Sequence, residues 1–299
     1  MFILLLLISF FGIYWLLFFF LPKGNPIHEM IHLPIWWLNM YQLLADNMIK
    51  TKYKYGTHFR QYLYFYTPKN GKTTKNNVIV YIHGGGWQFS RPEGFEPNAQ
   101  EWINEGYCVF MPSHRRIPFY DIDDLREDLN LIIRKIDQIK KEKGLGELKI
   151  LLGGMSSGAN LVALLALDRL NLQKQNIDLN QIAGLFLLGA PLNLNLMRLS
   201  PIIFLLAGKK GTAKFKRANP MEYLNKTANF PILGIHGTKD GLVECHSALS
   251  FYKKLEAINS EKTNFHILEN LTHLNIAGWS FMENGVRKLL FEWLDKREK

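Results

Sequence analysis

Three side chains set the chemistry open to this sequence: Ser156, Asp240 and His273. A serine hydroxyl is a poor nucleophile until a base takes its proton. An imidazole base in turn needs a carboxylate to fix its tautomer and steady the imidazolium that forms. The three occur in the order Ser, Asp, His, each shortly after an apolar run. Ser156 lies at the centre of Gly154-Met155-Ser156-Ser157-Gly158, between the strand-like run 149–153 and the Ala/Leu segment 161–167, which reads as a packed helix. A serine where a strand turns sharply into a helix is held exposed on a strained backbone, and the flanking glycines let the chain pass close to itself. The positive end of the helix faces it, which suits a reaction that develops negative charge. Asp240 ends His236-Gly237-Thr238-Lys239-Asp240, and His273 follows the run 265–268. Both fall just beyond the carboxyl end of an expected strand, where open α/β sheets place their sites. Glu244 is the reserve acid, read instead as part of the next helix. His266 is the reserve base, read as a mid-strand residue, and His236 is expected to brace the acid turn.

A second stretch completes the chemistry. The buried-strand pattern 77–82 runs directly into His83-Gly84-Gly85-Gly86-Trp87. Three successive glycines weaken any regular element, so they need a reason. A loop whose backbone N–H groups point into a cavity supplies one. Such donors stabilise the oxyanion of a tetrahedral intermediate by about 3 kcal/mol each.

The elements around these residues alternate. Apolar runs at 77–82, 106–111, 149–153, 183–189 and 231–235 read as buried strands, and 62–66 as an aromatic one. An amphipathic helix is expected over 122–141, with Leu125, Leu129, Ile132 and Ile136 on its apolar face. Repeated strand, helix, strand units predict an α/β fold with a mostly parallel central sheet and helices on both faces. His114 is read as structural. Residues 192–226 interrupt the alternation and are expected to form an insertion over the site. Its apolar part, 201–207, would line an acyl pocket, and Lys209, Lys210, Lys214, Lys216 and Arg217 would face solvent or anionic lipid heads.

The chain has 299 residues, 47% hydrophobic and 21% charged, with a net charge of +10. That is ample material for one large core. No zinc-ligand spacing or RNA-binding signature accompanies the basic charge, so a nucleic-acid partner is not expected. Two distant cysteines, Cys108 and Cys245, make no disulfide framework, and Cys108 reads as a buried small hydrophobe. Residues 2–21 are apolar almost throughout, enough for a helix of about 30 Å. No basic residue precedes them and no small-residue cleavage site follows, which favours a retained single-pass membrane anchor over residues 1–22. Lys23 alone is too little charge to fix the side on which the rest lies. Residues 23–56 are read as interfacial or cap helices, with Trp36 and Trp37 at the boundary level and Lys50, Lys52 and Lys54 near headgroups. The catalytic domain is expected over 57–299.

From about Tyr62 onward the chain resembles the α/β-hydrolase fold, in its esterase/lipase group of hormone-sensitive-lipase-like and related carboxylesterases. The resemblance rests on His83-Gly84-Gly85-Gly86-Trp87, Gly154-Met155-Ser156-Ser157-Gly158, His236-Gly237-Thr238-Lys239-Asp240 and Thr272-His273. It implies a Ser156–His273–Asp240 triad, an oxyanion hole from the N–H groups of Gly84, Gly85 and Ser157, and supporting roles for His83, Gly86 and Trp87. No metal and no cofactor is implied. Met155 and Ser157 stand where many relatives have Asp and Ala, and Ser113-His114-Arg115-Arg116 replaces their usual Asp-Tyr-Arg. Those departures bear on the pocket and leave the triad intact. The expected function is a membrane-anchored serine hydrolase that cleaves a small-molecule or lipid ester through an acyl-enzyme. The alternatives are an arylformamidase-like amide hydrolase and a catalytically silent scaffold on this fold.

Overall fold

The computed structural model describes residues 12–43, 45–70, 73–198, 200–224 and 230–298. Eight strands form one sheet in the order β1-β2-β4-β3-β5-β6-β7-β8. They are β1 (Met48–Lys54), β2 (Tyr62–Pro68), β3 (Asn77–Ile82), β4 (Cys108–Pro112), β5 (Lys149–Met155), β6 (Ile182–Leu188), β7 (Ile232–Gly237) and β8 (Thr263–Leu268). β1 and β2 pair antiparallel, as do β2 and β4, and every other neighbour is parallel. The expected α/β architecture is present. β3 and β7 are buried along their whole length, as strands covered on both faces must be.

Two apolar clusters, one on each face, explain that burial. The first holds Val78, Val80, Ile150 and Leu152 from the sheet. It is covered by α4 (Ile122–Glu142), α5 (Ser157–Leu167) and α9 (Cys245–Asn259). α4 buries Leu125, Leu129, Ile132 and Ile136 as its spacing predicts, and a capping box between Asp121 and Asp124 starts it. α5 is buried at every residue, which its nearly all-apolar sequence permits. The second cluster holds Tyr81, Met111 and Phe186 beneath Trp102 of α3 (Glu96–Asn104) and Trp293 of α11 (Val286–Asp295).

The N-terminal region joins this second face. The first helix, α1, is described over residues 12–20, and α2 spans Pro26–Gln42. Among the described residues no helix is long and apolar enough to cross a membrane. Residues 1–11, half of the expected anchor, lie outside the described residues. α2 does cover the domain. Its Trp36 and Met40 belong to the second cluster, and the Trp36 indole N–H donates to Leu274 O at 2.9 Å. Ile27, Met30, Leu33 and Leu38 of α2 are exposed.

Residues 48–54, expected within the helical segment 23–56, are instead the edge strand β1. Four of its seven residues in a row, 49–52, are exposed, so the strand carries little apolar alternation. Lysine on an edge strand blunts its unpaired backbone against other chains, which accounts for the composition. Two of these lysines find partners within the fold. Lys50 is paired with Glu96, and Lys50 and Lys52 lie over the rings of Tyr64 and Tyr62 at 4.0 and 3.9 Å.

The interruption at 192–226 contains α7 (Pro201–Ala207) and α8 (Ala213–Ala218), with α6 (Arg169–Lys174) before it and α10 (His273–Ala277) at the far end of the sheet. Its cations are partly committed. Lys214 pairs with Asp121, and Arg217 holds Asp123 at 2.6 Å, both acids at the start of α4. Lys210 donates to the carbonyls of Asn195 and Met197, each at 3.0 Å.

Candidate active site

The parallel register brings the carboxyl ends of β3, β5, β6, β7 and β8 to one edge. Met155 pairs with Leu188, and Leu188 with Ile235, so the turns after β5, β6 and β7 lie side by side. Ser156 follows β5 directly. Its φ of 55° and ψ of −123° are a costly conformation for a residue with a Cβ, about 1–3 kcal/mol. The surroundings impose it. Ser156 N donates to Leu188 O at 2.8 Å, and a Cβ on Gly158 would meet Ile82 O at 2.1 Å, so only glycine lets α5 pack this close to β3. The neighbours Met155 and Ser157 are both buried.

The glycine loop stands beside the serine. A Cβ on Gly84 would lie 3.2 Å from Ser156 Cβ and 3.1 Å from Met155 O. Gly85 adopts φ +130°, and its carbonyl accepts from Gln88 and Phe89, closing the loop into a tight turn. His83 is buried, with Nδ1 2.7 Å from Gly84 O, and its ring stacks on His114. Burial pushes the His83 pKa down to about 3 and that of His114 to about 4, so both are neutral braces at ordinary pH. Gly86 and Trp87 line the cavity that also holds Ser156.

Asp240 and His273 meet across 33 residues of sequence, with Nδ1 2.7 Å from Oδ2. The other oxygen of Asp240 accepts from Val243 N at 2.8 Å and Leu242 N at 3.0 Å, which fixes the carboxylate plane. His236 does brace this turn: its Nε2 lies 3.0 Å from Val243 O and 3.4 Å from Asp240 Oδ2. Burial would raise the Asp240 pKa, but the His273 charge and hydrogen bond outweigh it and hold it low. Burial would likewise lower the His273 pKa. The Asp240 charge and hydrogen bond, with the Glu29 charge behind them, raise it instead. The His273 ring packs beside Gly189, the residue after the carbonyl that holds Ser156 N: a Cβ there would sit 3.3 Å from His273 Nδ1.

Neither reserve residue takes the place of Asp240 or His273, although Glu244 does line the cavity that holds Ser156. Glu244 precedes α9 and is paired with Arg198 at 2.8 Å, while His266 lies within β8. Arg115, in the stretch that departs from the resembled pattern, ties the loop after β4 to the buried Asp128 at 2.9 Å. Glu29 and Pro26 of α2 reach the site although no motif in the sequence marks them for it. The available signal was positional: Glu29, Trp36 and Met40 fall on one face of a helix, and an acid on a face otherwise apolar needs a buried partner.

This fold and this edge define the α/β-hydrolase class. The BD-FAE family matches residues 63–255. The chain belongs to that family of α/β-hydrolase-type esterases, and is by class a serine ester hydrolase. Among curated proteins none matches. Among solved structures it is similar to esterase B of Lactobacillus rhamnosis, with a TM-score of 0.74 at 18% identity over 90% of this chain and 91% of that one. It is also similar to a truncated carbohydrate esterase from gut microbiota, with a TM-score of 0.72 at 16% identity over 85% and 98%. A third is a propionate-bound thermophilic esterase of Thermogutta terrifontis, with a TM-score of 0.65 at 21% identity over 86% and 95%. The Lactobacillus esterase is also known inhibited by a tributyrin phosphonate.

Proposed function

We propose that the protein hydrolyses short-chain carboxylic esters through an acyl-enzyme on Ser156, at a membrane surface. The observation that carries the chemistry is the 2.7 Å bond between His273 Nδ1 and a buried Asp240. With Nδ1–H committed to Asp240, Nε2 is left as the acceptor for the Ser156 proton. Ser156 Oγ attacks the ester carbonyl as Nε2 takes that proton. The oxyanion forms toward the N–H groups of Gly84, Gly85 and Ser157, and His273 returns the proton to the leaving alcohol. Water then repeats the sequence against the acyl-enzyme and frees the acid. Nothing in this cycle calls for a metal or cofactor.

The cavity beside Ser156 has a volume of about 350 Å³ and is lined by Trp87, Met197, Ile202, Ile203, Leu242 and Pro26, among others. That is near the low end for small-molecule sites, about 300–1,000 Å³, and apolar, which suits a short acyl chain. Relatives whose structures hold propionate or a tributyrin phosphonate support the same class. p-Nitrophenyl acetate, butyrate and palmitate compared with N-formylkynurenine test the assignment. The butyrate ester is expected to give at least about 10²-fold higher kcat/KM than the palmitate, since a misfitted chain loses orientation as well as binding. A preference for the formamide would replace the ester by an amide substrate.

Membrane attachment is supported by apolar side chains left in solvent on three helices. Ile13, Leu16, Phe19 and Phe20 of α1 are exposed, as are Ile27, Met30 and Leu33 of α2. Phe204 and Leu205 of α7, the helix that lines the cavity, are exposed as well. Deleting residues 1–22 is expected to move the protein from the membrane to the soluble fraction on sedimentation. Retention in the pellet would shift attachment to α2 and α7.

A further inference from the structure

The triad chemistry makes no use of Glu29, a titratable group buried against it. Glu29, on α2, is 1% exposed, yet its carboxylate pairs with no cation among the described residues. It accepts three backbone N–H groups instead. Oε1 takes His273 N at 2.7 Å and Gly241 N at 3.2 Å, and Oε2 takes Leu274 N at 3.2 Å. The Gly241 donor belongs to the loop that carries the acid, and the other two open α10, whose first residue is the base. Bonds to an ionised acceptor are roughly twice as strong as neutral ones, and a buried carboxylate satisfied in this way is rigid.

The rest of the same arm grips the same part of the fold. The Trp36 indole holds Leu274 O, and Lys23 Nζ donates to Asn270 O at 3.3 Å. The main chain at Asn25 lies so close to Gly241 that a Cβ there would meet Asn25 O at 2.6 Å. Residues 23–36 therefore clamp the acid loop after β7 to the loop after β8 and the start of α10, where the base lies, from a segment that precedes the family-matched region entirely.

We infer that Glu29 is a positioning residue for the His273–Asp240 pair, which makes the N-terminal arm a working part of the catalytic site. The inference rests on the triad reading proposed above. Glu29 acts in two ways. It sets where the His273 backbone stands, and its negative charge favours the His273 imidazolium. Among the described residues, the other titratable groups facing that imidazole are Asp240, in the loop after β7, and His236, within β7.

The sign follows from the role of His273. The free enzyme needs a neutral imidazole, so kcat/KM rises with pH through the His273 pKa. Removing the Glu29 charge lowers that pKa and moves the acid limb to lower pH. The test uses the full-length chain with p-nitrophenyl butyrate, in wild type, Glu29→Gln, Glu29→Ala and Ser156→Ala. Glu29→Gln keeps the volume but turns an N–H₂ toward one of the three donors. It is expected to lower kcat about tenfold with KM held within about twofold, because the base is displaced while the pocket is untouched. The acid limb should move down by roughly half a pH unit. Glu29→Ala should lose more, and if it fails to fold Glu29→Gln carries the test. The His273 imidazole titration, followed by NMR, decides the matter whether or not ester is cleaved. A lower His273 pKa in Glu29→Gln supports the inference, and an unmoved one overturns it. Butyrate turnover that survives Ser156→Ala would instead sink the serine-hydrolase reading.

Discussion

Ser156→Ala is expected to reduce kcat on p-nitrophenyl butyrate by roughly 10⁵–10⁶-fold, leaving only what binding and oxyanion donors supply. The fold should not notice. The Ser156 side chain makes no capping bond to α5, so losing Oγ leaves no backbone donor unpaired. The alanine keeps the Cβ and inherits the φ of 55° that the serine already tolerates. Thermal unfolding should therefore give a stability within roughly 0.5 kcal/mol of wild type. Initial rates on the butyrate ester and a melting curve check both halves. A folded variant with near wild-type turnover would remove Ser156 from the mechanism.

Asp240→Asn should cost about 10⁴-fold in kcat through the tautomer of His273. The geometry dictates which way the amide turns. One Asp240 oxygen accepts the N–H groups of Leu242 and Val243, so the asparagine carbonyl must stay there. The amide N–H₂ then faces His273 Nδ1, which can only accept. The ring proton moves to Nε2, and the atom that should take the Ser156 proton now carries one. Since hydroxide can replace the missing base, the residual rate should rise with pH above neutrality. Rates between pH 6 and 10 check this, and an Asp240→Asn variant within tenfold of wild type at pH 7 would contradict the assignment of the acid.

Much of the site was legible because its geometry is written in glycine. Gly154 and Gly158 bracket a serine that must leave a strand and enter a helix within a few residues, and the run 84–86 follows a strand that ends in a cavity. Both are local constraints, so one stretch of sequence carries each. The buried parallel strands were legible for the same reason, as short apolar runs at regular intervals. β1 was not. Its lysines are an edge strand's defence, and their pairing with Glu96 and with the Tyr62 and Tyr64 rings depends on residues brought in by the fold. The insertion shows the same limit, since Lys214 and Arg217 find Asp121 and Asp123 about ninety positions away. Glu29 is the sharpest case. Its three bonds reach across 212, 244 and 245 residues to backbone groups, which have no residue-type signature at all.

The measurement that bears most directly on the central claim is covalent labelling by a fluorophosphonate probe, wild type against Ser156→Ala. The probe phosphonylates a serine whose nucleophilicity a neighbouring base has raised, with fluoride leaving, so it reads the activation of Ser156 directly. Labelling of the wild type that disappears in the folded variant is the predicted result. A folded wild type that stays unlabelled, or a variant that labels equally well, would contradict Ser156 as the activated nucleophile.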